Sequence, residues 1–166
     1  MKVSPARILS ADEAAQWAEG LRQARKRVVF TNGVFDLLHP GHVRYLNAAR
    51  ALGDALIVAV NSDRSVRANK GPERPVNPET ERAELLGSLA CVDAVVVFDE
   101  DTPHEIVTRI QPDVLVKGAD WGPDNIVGRD VVEARGGRVV RMELEPGFST
   151  TELIRRVHTA TGHGDT

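Results

Sequence analysis

Five short, wholly apolar runs separated by segments with helix-start signals predict a three-layer α/β sandwich around a mainly parallel, five-stranded sheet. The runs fall at residues 28–30, 56–60, 95–98, 114–116 and 139–140 and are rich in Val, Ile and Phe. Strands apolar on both faces suit a parallel sheet covered on both sides, whereas a half-exposed strand would alternate. Strand–helix alternation then calls for right-handed crossovers, which place helices on both faces.

Taken in order, Ser10 followed by Glu13 is a capping pair that opens a helical N-terminal extension over residues 1–26. The first strand, 28–30, leads through residues 31–42 into a helix expected at 43–52. The second strand, 56–60, is followed by an irregular stretch at 64–77 holding Lys70, Gly71, Arg74 and two prolines. A loop of that length usually serves function. Asn77 and Pro78 open a helix at 79–89. Cys91, in the apolar stretch 89–97, reads as a buried structural thiol. After the third strand, Thr102 is a capping residue with Pro103 at the first helical position and Glu105 at the third. The fourth strand is 114–116 and the fifth 139–140. Ser149 with Glu152 caps a last helix at 150–157, and residues 158–166 read as a frayed tail. No repeat or linker interrupts the chain, so residues 1–166 are expected to form one domain.

Bulk properties narrow the function. The 166 residues are 42% hydrophobic and 27% charged, ordinary for a globular protein, and the formal net charge of −3 argues against nucleic acid as the main partner. A single cysteine excludes an intrachain disulfide. No apolar run approaches the ~20 residues needed to span a membrane. The first five residues lack the apolar core of a signal peptide, so a cytoplasmic location is expected.

In an open α/β sheet ligands bind beyond the carboxyl ends of the strands. There the first strand delivers Thr31, Asn32, Gly33, Val34, Phe35, Asp36, Leu37, Leu38, His39, Pro40, Gly41 and His42, which run into a helix. A helix start offers unpaired N–H groups and a positive dipole end to phosphate. Gly33 and Gly41 let a bulky anion approach the backbone. The His-x-x-His spacing does not match the zinc-helix pattern, and metal ligation would need a third ligand. A dinucleotide-binding redox domain would want G-x-G-x-x-G after this strand, and residues 33–42 do not supply it.

The run from Gly33 through Phe35, Asp36, His39 and Gly41 to His42 resembles the signature of the cytidylyltransferase-like nucleotidyltransferase superfamily, whose fold is Rossmann-like. The resemblance implies that His39 and His42 contact the triphosphate and stabilise the transition state as charged donors. Further along, Asn61-Ser62-Asp63, Lys70-Gly71, Arg74-Pro75, Arg82, the segment 99–103, Lys117-Gly118-Ala119-Asp120-Trp121 and Gly147-Phe148-Ser149-Thr150-Thr151 occur in an order that resembles the heptose 1-phosphate adenylyltransferases. The likeness covers roughly residues 27–157. Ala119 stands where glycine is expected, and Asn69 where an apolar residue is more usual.

This resemblance implies transfer of AMP from ATP to a heptose 1-phosphate. His39, His42 and Lys70 are the expected catalytic residues. Thr31, Asn32, Gly33, Phe35, Gly41, Asp63, Lys117, Gly118, Asp120, Ser149, Thr150 and Thr151 are expected at the nucleotide. Asp36, Arg74 and Trp121 are expected at the acceptor, Asp36 with a structural part in orienting the turn. Mg2+ is expected on the phosphates, with no protein ligand assigned. A homodimer is expected, with a separate kinase supplying the sugar 1-phosphate. Two other readings fit parts of the pattern: a cytidylyltransferase acting on glycerol 3-phosphate, and a nucleotide-binding module without catalysis. The segments 70–75 and 99–103 favour the heptose assignment. The histidines, Lys70 and the Ser-Thr-Thr segment argue against a purely binding role.

Overall fold

A computed structural model describes residues 6–119 and 122–162. The expectations for Asp120, Trp121 and the tail beyond Gly162 lie outside the described residues. The elements run β1 (Arg7–Leu9), α1 (Ala11–Gln23), β2 (Val28–Gly33), α2 (Pro40–Arg50), β3 (Ala55–Asn61), α3 (Asp63–Lys70), α4 (Glu79–Gly87), β4 (Ala94–Phe98), α5 (His104–Ile110), β5 (Val114–Gly118), α6 (Arg129–Ala134), β6 (Arg138–Met142) and α7 (Thr150–Ala160), with a single 3-10 turn at Pro123–Asn125.

The sheet has six strands, not five, in the order β1-β4-β3-β2-β5-β6. Every neighbouring pair is parallel. The added strand, β1, lies in the segment expected to be wholly helical. It is three residues long, too short to show a period, and it exists because its backbone pairs with β4 at the sheet edge.

Both faces of the sheet are covered, which explains the unbroken apolar runs. Along β2, Val28 and Phe30 face Ala14 and Ala18 of α1, Ile106 and Ile110 of α5 and Val132 of α6. Val29, between them, joins the opposite cluster with Leu46 and Ala49 of α2 and Ala83 and Leu86 of α4. Cys91 lies buried in that second cluster, as the sequence reading expects. No described helix is long and apolar enough to cross a membrane.

Several boundaries differ from the sequence reading. The stretch 64–77 is half helical: α3 takes residues through Lys70, capped by Ser62, whose hydroxyl accepts from Ser65 N–H. The helix after β2 starts at Pro40, three residues early, and ends at Arg50. Ser10 and Glu13 do form a reciprocal cap on α1, and Ser149 caps α7, which extends to Ala160. Asn77 does not cap α4, because its side-chain amide donates to Asp36 O at 2.9 Å and Pro78 holds the cap position. Thr102 does not cap α5, which starts one residue later, with Pro103 in the cap position and no side-chain acceptor there.

This topology sets the site. The chain moves outward from β2 through β3 to β4, then crosses back to place β5 on the other side of β2. The reversal opens a crevice at the carboxyl ends of β2 and β5. Leu46 ties α2 to that part of the sheet and is fully buried. Leu46→Ala is expected to lower unfolding free energy by about 2–5 kcal/mol, read as a lower urea midpoint.

Candidate active site

A cavity of about 710 Å³ occupies this crevice, lined from β2 by Asn32 and Gly33, from β5 by Lys117 and Gly118, and from the starts of α2 and α7. At the head of α2, His39 is the N-cap and His42 the third helical residue. Each ring Nδ1 accepts the backbone N–H of the other, both at 3.3 Å, and the rings stack with centroids 3.8 Å apart. Pro40 suits the first helical position because it has no N–H to satisfy.

Gly41 is required by the fold of this pair. A Cβ there would lie 2.9 Å from His39 Cε1 and 3.0 Å from both His39 Nδ1 and Phe148 Cβ. Gly41, expected to let an anion approach, lines the cavity as well.

The reciprocal cap fixes the tautomer. With both Nδ1 atoms accepting, a neutral imidazole carries its proton on Nε2, which is left to donate to a ligand. Burial lowers the pKa of both rings; for His42 burial and then the neighbouring His39 charge bring it down to about 4. Burial thus favours the neutral, Nε2-protonated form of both rings in the unliganded protein.

The turn between β2 and α2 is held from several sides. Phe35 adopts a positive φ of 50°, and its buried ring meets His42 edge-on at 5.4 Å. Asp36, 2% exposed, accepts from the backbone N–H groups of Val76 and Asn77 and from Arg74 Nε at 2.9 Å. Burial alone would raise its pKa, but those backbone donors and the Arg74 guanidinium outweigh burial and keep it below the usual value. Its oxygens are thus engaged by the loop, and Asp36 anchors that loop, while Arg74 lines the cavity. Arg82 is fully buried and donates to Asn77 O, Val34 O and Asp63 Oδ1 at 2.8–2.9 Å.

Other expected residues are placed unevenly. Asp63 Oδ1 is shared between Arg82 and the Glu79 N–H, and Asp63 is not among the cavity residues. Thr31 is fully buried, with its hydroxyl bonded to Tyr45 OH and Val116 O, and likewise does not line the cavity. Lys70, Phe35, Ser149, Thr150 and Thr151 do line it. Asn32 Oδ1 is buried with no hydrogen-bond partner among the described residues, and Lys117 Nζ lies 3.5 Å from Asn32 O. An orphaned acceptor in a cavity wall invites a ligand N–H or O–H.

Asn61, Asn69, Asp101, Leu144, Glu145 and Phe148 also line the wall, and the sequence reading gave none of them a site role. Asn61, Asp101 and Phe148 stand in motif segments that it singled out, Asn61 at the end of β3 where the strand-end rule points. Among the described residues no group of three or more His, Cys, Asp or Glu could hold a metal ion.

The profile of the cytidylyltransferase-like family matches residues 30–156. The chain is 56% identical over 136 residues to a bifunctional protein HldE of Syntrophotalea carbinolica, covering 82% of this chain and 28% of that protein. It is 55% identical over 155 residues to the bifunctional protein HldE of Gluconacetobacter diazotrophicus, covering 93% and 31%. The chain thus spans under a third of the length of these relatives. Among solved structures, the lipopolysaccharide core biosynthesis protein of Thermoplasma volcanium aligns with TM-score 0.61 and 30% identity over 72% of this chain and 97% of that one. Pantoate-beta-alanine ligase of Francisella tularensis, at TM-score 0.61 and 13% identity over 91% of this chain and 76% of that one, shares the fold.

Two measurements test this geometry. The folded imidazoles bind protons less readily than unfolded ones, so the unfolded state takes up more protons between pH 6.5 and about 4. Stability is therefore expected to fall as pH drops through that window, and the double variant His39→Gln/His42→Gln to flatten the decline in urea midpoint. An unchanged slope would contradict the neutral assignment. Asp36→Asn is expected to cost about 1–3 kcal/mol in urea unfolding by weakening the acceptor of the 74–77 loop.

Proposed function

Because the chain belongs to the cytidylyltransferase-like family, we propose that it is a nucleotidyltransferase transferring AMP from ATP to a heptose 1-phosphate, with ADP-heptose and pyrophosphate as products. The observation that carries this reading is the mutually capped histidine pair at the crevice, with both Nε2–H groups left to donate. The heptose acceptor is supported by the resemblance of segments 70–75 and 99–103 and by the HldE relatives at 55–56% identity.

In this mechanism an oxygen of the sugar phosphate attacks the α-phosphorus of ATP. The bond from that phosphorus to the bridging oxygen of the β-phosphate breaks, and pyrophosphate leaves. The nucleophile is already anionic near neutral pH, so catalysis rests on positioning and charge stabilisation. His39 and His42 donate to phosphate oxygens as the pentavalent state forms. Lys70, at the end of α3, and Arg74 add positive charge from the facing wall. Thr150 and Thr151 offer hydroxyls and first-turn N–H groups of α7 to the outer phosphates while Ser149 serves as its cap. Asn32, Lys117 and Gly118 contact the nucleotide at the ends of β2 and β5. Magnesium bound to the triphosphate would offset its charge, as is common for nucleotide substrates.

The domain is read as residues 1–166 in a three-layer Rossmann-like arrangement. It acts in the cytoplasm as a homodimer, on a sugar 1-phosphate supplied by a separate kinase activity.

Pyrophosphate release is the direct test, with ATP, CTP, GTP and UTP each paired with heptose 1-phosphate or glycerol 3-phosphate. Turnover is expected with ATP and heptose 1-phosphate. His42→Ala is expected to lose about a hundredfold in rate, roughly 3 kcal/mol of transition-state stabilisation. Preference for CTP and glycerol 3-phosphate would keep the chemistry and overturn the substrates.

A further inference from the structure

The histidine pair is held by long bonds. Each reciprocal cap contact is 3.3 Å, beyond the usual 2.7–3.2 Å range for N–H donors, so these contacts alone orient the rings weakly. His42 has Phe35 edge-on behind it. His39 is covered from a different part of the chain: Phe148, two residues before α7, lies nearly parallel to it, with centroids 6.1 Å apart and planes 17° apart. The Arg44 guanidinium carbon lies 5.4 Å from the Phe148 ring centre, and Arg44 is ion-paired with Glu145.

These contacts form a connected series from Arg44 through Phe148, His39 and His42 to Phe35, joining α2 to the segment between β6 and α7. Phe148 keeps 38% of its surface exposed, so its contacts with His39 and Arg44 are made at the cavity wall and not in the core. Gly41 belongs to the same arrangement, since a Cβ there would crowd Phe148 Cβ as well as the His39 ring.

We propose that Phe148 is a positioning residue for His39: held by Arg44, which Glu145 fixes in turn, it keeps the imidazole stacked on His42 so that both Nε2–H donors face the cavity. The segment that brings Ser149, Thr150 and Thr151 to the phosphates thereby also orients the histidines. Nucleotide-binding and catalytic geometry are set by one piece of chain. The catalytic part of this inference rests on the adenylyl-transfer reading above; the orientation of His39 does not.

The experiment uses the full chain, wild type beside Phe148→Ala, Phe148→Tyr and Arg44→Gln, with thermal melts to establish folding. Two readouts are taken: kcat and KM for ATP, and the rate at which diethyl pyrocarbonate modifies His39 in the unliganded protein, resolved by mass spectrometry. Phe148→Ala is expected to lower kcat about tenfold or more, as misplacement of a catalytic group does, with KM little changed. It is also expected to speed His39 modification several-fold. Phe148→Tyr restores both, and Arg44→Gln falls between. Unchanged His39 reactivity in Phe148→Ala overturns the proposal, as does a lower KM with kcat kept, which would make Phe148 an obstruction. If the wild type turns over no substrate, the adenylyl-transfer reading fails while His39 reactivity still decides the positioning role.

Discussion

The start of α2 satisfies its own backbone with imidazole nitrogens, and much of the site follows from that substitution. In an ordinary capping box a hydroxyl and a carboxylate close the first turn, and the carboxylate has no proton to offer a phosphate oxygen. Here two rings do the closing with one nitrogen each, leaving the other nitrogen protonated. Helix initiation and the supply of donors are the same set of contacts. The glycine between the histidines, the proline before it and the phenylalanines around them are all consistent with the space that two stacked rings demand.

Around this pair the protein builds in two directions. Asp36 and Arg82 fasten the 74–77 loop to the turn before α2, so that Arg74 reaches the wall from a fixed base. On the opposite side β5 and the start of α7 bring Lys117, Gly118 and the Ser-Thr-Thr segment. The acidic residues nearest the turn serve mainly as acceptors for protein donors. The cavity sets amides, hydroxyls and cations beside the carboxylates of Asp36, Asp101 and Glu145, which are ion-paired with Arg74, Arg64 and Arg44.

Much of this was legible in the chain before the coordinates. Strands buried on both faces announce themselves as unbroken apolar runs, and all five of those runs are strands. The strand β1 escaped because Arg7, Ile8 and Leu9 become a strand only by pairing with β4, a partner some ninety positions away in the chain. The motif from Gly33 to His42 falls on the wall of the cavity. Individual assignments around it fared less evenly, since residue type does not say which way a polar group points. Thr31 looks available in sequence and is spent on Tyr45; Asp63 looks like a ligand contact and is spent on Arg82. Phe148 stands in a motif segment but had no role assigned, because its contacts with His39 and Arg44 come only from tertiary folding.

The placement of β5 on the far side of β2 has a consequence for synthesis. A chain emerging from the ribosome through β4 already holds every residue of the β1-β4-β3-β2 half-sheet and both histidines. It lacks Lys117, Gly118 and the whole start of α7, which lie on the last third of the chain. Because domains tend to gather from their N-terminal side during translation, the donors are in hand well before the opposing wall exists. A nascent fragment would thus carry the histidine half of the crevice with nothing across from it, and competence for a nucleotide would arrive only once α7 has been made.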